Sequence, residues 1–427
     1  MPPASPAPGA LAGIRVVEVT TEMGQYCGRL LADLGADVIK VEPPGGDASR
    51  GVGPFFHDQI GRETSLTYWY FNANKRSVTC DLDQHDGQHL FRELVKSADV
   101  VLDGHPVGHL DARGVGDAAL RAIKPDLVYV AVTGFGLSGP HAPWKAPDIV
   151  GLAMSGIMTL AGHPDDPPNI LSGNQGYITA SLAAAQGTVL ALFHRQRTGE
   201  GQLVEVSMQE ALSIAQETAM PTWDFQKTSR ERQGEILRLP GIGTYQTADG
   251  YIYSSVGIPG FGAPWTTLLD WMLEEGKAED LVDPKYARAL TGLNMRQLTA
   301  ALTDPASLSA LQPIMDRAQE VVATFYRGKR SVACYEQGQR RRLLIGIVSS
   351  PEDLVRSPQL NARDWFTTLD HDGTPVKYPG PPYRLSATPV TCQRRAPHIG
   401  EHNVAVWVDE VGVPAEDLPV YASEGAL

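Results

Sequence analysis

Short apolar runs alternate with amphipathic stretches along the first half of the chain. IRVVEV (14–19) reads as a β-strand, and MGQYCGRLLADLGA (23–36) places Leu30, Leu31 and Leu34 on one helical face. DVIKVE (37–42) is strand again, and Gly35 suits the helix C-cap, so these residues predict one βαβ unit. The pattern repeats: HDGQHLFRELVKSA precedes DVVLDG, and LRAIKPD precedes LVYVAVTGFG. Helices alternating with short β-rich strands predict an α/β fold with a parallel sheet.

From Gly136 the chain turns Gly/Pro-rich, becomes helical at IVGLAMSGIMTLAG, and loops through HPDDPPNILSGNQG. A long helix is expected from about Tyr177 to His194, and a strand and helix over 203–220. Gly/Pro clusters and shorter strands after that mark a change of domain near residue 222. The stretch from about 260 to 335 reads as a small helical domain. The apolar run LLIGIVSS from Leu343 reads as a return to a sheet-containing body. The expected map is a large domain over 1–222, a small domain with linkers over 223–335, and a return to the large domain over 336–427.

Composition narrows the function classes. A chain of 427 residues is long enough for two or three domains, and 42% hydrophobic with 20% charged residues is ordinary for a globular protein. A formal charge of -13 disfavours nucleic acid or an anionic membrane surface as partner. Cys27, Cys80, Cys334 and Cys392 are far apart and form no CxxC pair, so reduced thiols, a cytoplasmic setting and no metal are expected. MPPASPAPGA lacks the basic and apolar regions of a signal peptide, and no run approaching the roughly 20 apolar residues of a membrane span is evident.

Candidate chemistry is sparse. TTEMGQYCG could cradle an anion at a helix N-terminus, but it is not GxGxxG and fits an ordinary βα turn, which disfavours a nicotinamide cofactor. His85/His89 and His105/His109 have the i, i+4 spacing of zinc ligands without the Glu of HExxH, so solvated histidines are the better reading. Ser155 in GLAMSG lacks the nucleophile-elbow spacing and reads as packing. In FNANKRS, Lys75 and Arg76 could reach a phosphate or carboxylate, or be solvated cations on a turn; the residues leave both open.

Together, LAGIRVVEVT, LADLGADVIKVEPPGGD, FNANKRSVTCDL, SADVVLDGHPVGHLDARGV, VTGFGLSGP, PDIVGLAMSGIM, ALFHRQRTGEGQLVEVSMQEAL, SPQLNARDWF and APHIGEHN resemble the ordered signatures of the class III CoA-transferases. The resemblance implies a Rossmann-like large domain built from both chain ends with a smaller inserted domain, and ring-shaped subunits interlocked in a dimer. It implies CoA transfer from an acyl-CoA to a carboxylic acid, with no cofactor beyond the CoA thioester, which is substrate. In such enzymes an Asp at the start of the long helix attacks the thioester, releases CoA thiolate, and then carries CoA as an aspartyl thioester.

The family spacing puts that Asp at Tyr177, or at Gly176 by racemase-like spacing, and neither is an acid. The resemblance further implies CoA contacts at Glu22, Met23, Asn72, Ala73, Asn74, Lys75, Gly104, His105, Pro106, Lys145 and Asp148. Pro43 and Ala112 stand where arginines are expected, with Arg113 adjacent to the latter. Gly104 stands where an Asn is expected, and Pro147 where the racemase His would be. The leading expectation is a subunit without the nucleophilic Asp, paired with a homologous Asp-bearing chain as in succinyl-CoA:benzylsuccinate transferases. The alternatives are a self-sufficient enzyme using another acid such as Glu22, which also reads as a helix N-terminal acid, or a non-catalytic CoA-ester-binding protein.

Overall fold

A computed structural model describes residues 8–230, 232, 239–257, 263–292 and 305–427. The chain divides into two compact units, one formed by Met1–Gly162, Asp166–Arg232 and Asp364–Leu427, the other by His163–Asp165 and Gln233–Arg363.

The first unit is built on a six-stranded sheet in the order β3-β2-β1-β4-β5-β6. Its strands are β1 (Arg15–Val19), β2 (Asp37–Glu42), β3 (Arg76–Thr79), β4 (Val100–Asp103), β5 (Val128–Thr133) and β6 (Leu203–Ser207), and every pairing is parallel. All six residues of β5 are buried, as expected of a strand covered on both faces. Helices α1 (Gln25–Asp33), α2 (Leu66–Asn72), α3 (His85–Val95) and α4 (Asp117–Ile123) connect the first five strands. One face of the sheet packs Leu90, Phe91 and Leu94 of α3 with Val406 and Trp407 from the C-terminal segment. The other face packs Cys27 and Leu31 of α1 with Ala180, Ala184 and Leu192 of a long helix that precedes β6.

The apolar stretch after β5 is broken into α5 (Asp148–Met154) and α6 (Ile157–Leu160) at Gly156, whose φ of 86° only glycine adopts easily. Ser155 is buried and its hydroxyl donates to the Leu152 carbonyl, a packing role. The long helix α7 (Gln175–Thr198) is followed, after β6, by α8 (Met208–Ser213) and α9 (Ala219–Gln226). Contrary to the sequence expectation, α7 is long and apolar enough to cross a membrane by length and composition alone. Its buried Gly176, Ala180, Ala184, Thr188 and Ala191 instead recur at near-helical spacing on one face, as in a core helix of small residues.

The second unit holds the antiparallel sheet β7 (Ile242–Gln246), β8 (Tyr251–Ser255) and β9 (Leu344–Ile347). Helices α10 (Trp265–Glu274), α11 (Pro284–Gly292), α12 (Pro305–Arg327) and α13 (Ser331–Arg340) accompany it, around a core including Trp271, Phe325 and Tyr326. The run LLIGIVSS therefore does not start a return to the large body: it forms β9, with Ile347 opposite Ile252 of β8. The boundaries fall at 232 and 363, rather than at 222 and 335. The C-terminal segment adds to the first unit only an antiparallel hairpin, β10 (Thr367–His371) with β11 (Thr374–Tyr378), and the packing helices beyond it.

Candidate active site

In the sheet, connections run one way from β1 through β2 to β3 and the other way from β4 to β6, so the order reverses between β1 and β4. Ligands of open α/β sheets bind in the crevice at that reversal, outside the carboxyl ends of the strands. A cleft of about 220 Å³ lies there. Thr20 and Thr21 follow β1, Pro43 and Asp47 follow β2, Cys80–Asp83 follow β3, and His105, His109 and Arg113 follow β4.

The β4 side of the cleft carries two imidazoles and a guanidinium. The rings of His105 and His109 stack with centroids 4.4 Å apart and planes 9° from parallel. Asp103 fixes His105 by accepting from its backbone N–H at 2.9 Å and facing its Nδ1 at 3.2 Å, and Asp103 is itself held by the Tyr129 hydroxyl at 2.8 Å. Burial first, then His105 and Arg113, hold His109 below the ordinary histidine value, so this ring favours its neutral form. Arg113 donates to the His109 carbonyl at 2.8 Å and pairs with Asp83 at 2.5 Å. Flat imidazole faces suit stacking on an aromatic base, and a guanidinium whose acidic partner is mostly exposed can turn to a phosphate. These histidines are thus half-buried cleft residues rather than simply solvated ones, whereas His85 and His89 are exposed on α3. Asp81, Asp83 and His109 were not assigned to a CoA site from sequence. Their shared signal is that each follows the end of a parallel strand.

Gly104 lines the root of the same region. A Cβ there would lie 2.2 Å from the Met23 carbonyl oxygen and 3.1 Å from the Thr20 side chain, so the turn after β1 closes on β4 only because residue 104 has no side chain. Met23 packs against the core on the α1 side of the sheet. Pro106 is exposed, and Lys145 is exposed in the loop before α5.

The segment Asn72–Lys75 is not the solvated surface turn that was one of its two readings. All four residues are buried. Lys75 Nζ donates to Glu18 Oε1 at 2.8 Å, the Gln25 carbonyl at 2.7 Å and Asn72 Oδ1 at 2.8 Å, which uses all three ammonium donors. Burial pulls this ammonium down to about 8 despite Glu18 beside it. Asn72 also donates to Gln25 Oε1, and Asn74 bridges Asp33 and the backbone at Thr391, Gln393 and Arg394. Arg76 is committed to Asp37 and Glu410. These side chains build an internal polar network, and Lys75 also borders a cavity of about 210 Å³ with Arg394, Arg395 and His402.

A second constellation gathers at the start of α7. Tyr177 is half-buried, and its backbone N–H donates to Asp148 Oδ1 at 2.9 Å. Burial, then the neighbouring Glu22 charge, push the phenol up to about 12. Glu22 is raised by burial, then by Asp47 of the cleft and by Asp148, so it is electrostatically coupled to both the cleft and the α7 start. The three residues join a suppressed phenol to two carboxyl groups. The phenol is neutral at physiological pH and can donate a hydrogen bond but not attack a carbonyl.

A parallel α/β body, a cleft at its strand reversal and a long small-residue helix whose first turn flanks an acidic pair define a class of enzyme fold. The chain belongs to CoA-transferase family III, whose family model matches residues 11–403, and is a transferase of acyl-CoA chemistry. It is similar to the succinyl-CoA:(R)-benzylsuccinate CoA-transferase subunit BbsE of Thauera aromatica, 36% identical over 419 residues that cover 97% of each chain. It is also similar to the succinyl-CoA–D-citramalate CoA-transferase of Chloroflexus aurantiacus, 32% identical over 430 residues and 98% of each chain. A solved CAIB/BAIF family protein from Brucella suis matches with a TM-score of 0.77 at 29% identity, covering 94% of this chain and 99% of that one.

Proposed function

We propose that this chain is the nucleophile-lacking subunit of an acyl-CoA:carboxylate CoA-transferase, with succinyl-CoA as donor, paired with a homologous chain that carries the Asp. The observation that carries the reading is Tyr177. CoA transfer through the enzyme needs a carboxyl carbon, first to take the acyl group as an anhydride and then to hold CoA as a thioester. A phenolate ester could hold the acyl group but has no carbon on which CoA can be parked. With the phenol pushed up to about 12, even that first attack is suppressed.

The similarity to a protein named as a subunit, and to two named for succinyl-CoA, supports the partner and the donor. So does the outward face of α7, where Leu182, Val189, Leu190 and Phe193 are exposed, together with Trp223 and Phe225 on α9. An apolar face of this kind fits a subunit interface, here that of interlocked rings. The cleft between β1 and β4 is the nucleotide end in this reading, with the His105–His109 faces for the base and Arg113 for a phosphate. No cofactor is required. The four buried free thiols fit a reducing cytoplasm.

Glu22 is the alternative acid. It follows β1 rather than opening α7, so it does not occupy the position at which the resemblance places the nucleophile, which favours the partner's Asp over Glu22. The test is expression of the chain alone and with a homologous Asp-bearing chain, followed by native mass and CoA-transfer assay. Activity is expected only in the pair, and robust transfer by the single chain sinks the proposal. Tyr177→Asp should give a hydroxylamine-sensitive CoA adduct on this chain, and any transfer by the single chain that survives Glu22→Gln removes Glu22 as the alternative acid.

A further inference from the structure

The first turn of α7 carries no acid of its own. Its N-cap Asn174 makes no side-chain cap, and no acidic residue lies in the first turn. A 24-residue helix that begins this way leaves amide donors and a partial positive charge without a local partner. The structure supplies both from another element: Asp148, the first residue of α5, accepts the Tyr177 N–H at 2.9 Å. Gly176 makes room for this. A Cβ at 176 would lie 2.9 Å from Asp148 Oδ1 and 3.0 Å from Met208 Sδ, and Gly176 is buried.

We infer that Asp148 is a positioning residue: reaching from the start of α5, its carboxylate caps α7 and so sets the direction of the side chain at position 177. This rests on the reading that 177 is the position at which the family's chemistry is done. The side chain at 177 leaves the helix in its first turn, where an uncapped helix frays, so a lost cap moves this side chain before it moves the rest of α7. Asp148 acts through residue 177 and does not hold CoA. The same bond would orient a nucleophile as it orients the phenol.

Two arms test this. Amide hydrogen exchange at Tyr177 in the otherwise unaltered chain should be about fivefold faster in Asp148→Ala, the factor a lost helix cap carries. It should stay near wild type in Asp148→Asn, whose amide oxygen accepts the same bond. Gly176→Ala, which crowds the carboxylate from the other side, should resemble Asp148→Ala and serves if that variant fails to fold. In the paired enzyme with Tyr177→Asp, adding Asp148→Ala should lower kcat on this chain about tenfold with KM for acyl-CoA unchanged, and Asp148→Asn should restore it. Unchanged exchange in Asp148→Ala overturns the inference, as does a raised KM with kcat retained, which would make Asp148 a CoA contact. Absence of transfer by Tyr177→Asp itself counts against the reading of position 177, and the exchange arm then decides Asp148 by itself.

Discussion

Replacing Lys75 by Met separates a buried network from a ligand contact. Lys75 is 1% exposed, and its ammonium is the only group donating at once to Glu18, the Gln25 carbonyl and Asn72 among the described hydrogen bonds. A Met side chain fills similar volume but removes the cation. Glu18, itself fully buried, is then left with Thr20 at 2.7 Å and the more distant Lys40 at 3.3 Å. Breaking one partner out of a buried ion pair costs about 3–5 kcal/mol, and each orphaned buried acceptor about 1–3 kcal/mol, in terms that overlap rather than add. Against a total stability of about 5–15 kcal/mol for a folded domain, Lys75→Met should lower the unfolding free energy of the large unit by about 3–5 kcal/mol. Denaturant unfolding followed by circular dichroism measures it, with CoA affinity measured on the folded fraction. Were Lys75 instead the CoA contact that the resemblance implies, stability would change by less than about 1 kcal/mol while CoA affinity fell. That pair of results would refute the network argument.

Two further outcomes follow from other sites. His371 is buried and stacked on Trp69, with its Nε2 2.7 Å from the Tyr378 hydroxyl, and burial followed by Arg395 lowers it to about 4. The unfolded chain then binds a proton between about 6.5 and 4 that the folded chain refuses, so the stability His371 supports is present above about 6.5 and is lost as pH falls toward 4. Replacing His371 by Gln should flatten that part of the stability–pH curve, and an unchanged slope would remove His371 as its source. Gly104→Ala should destabilise by about 1–3 kcal/mol and displace the Glu22–Met23 turn, because its Cβ meets backbone at 2.2 Å rather than a side chain that can swing away. Denaturation with CoA binding checks this, and a neutral substitution would show that the turn after β1 is free to move.

The parts legible from sequence were those in which the physics is local. DVIKVE gave strand bounds of 37–42, the same as β2, because the β-branched Val38, Ile39 and Val41 mark the strand locally even with Lys40 and Glu42 among them. The α1 face and the helical run beginning near Tyr177 were equally plain from their period. The cleft was half legible. His105 was assigned through the resemblance, but Asp81, Asp83 and His109 were passed over, since the first two follow β3 and the last follows β4, and only the sheet order brings them to one crevice. The pattern NANKRS hid its burial. Two adjacent cations after an aromatic run look solvated or ligand-facing, yet Glu18 and Glu410, their buried or half-buried acids, lie 57 and 334 residues away.

The sequence by itself determined the alternation of helix and strand, the parallel body and the membership suggested by ordered motifs, because each of these is written in residue type and short spacing. Tertiary structure decided which charges face inward, that LLIGIVSS pairs with β8, and that α7 borrows its cap from Asp148. Burial, strand partners and helix caps supplied across space are contacts between distant segments, and their energies depend on approach distances that no local pattern contains.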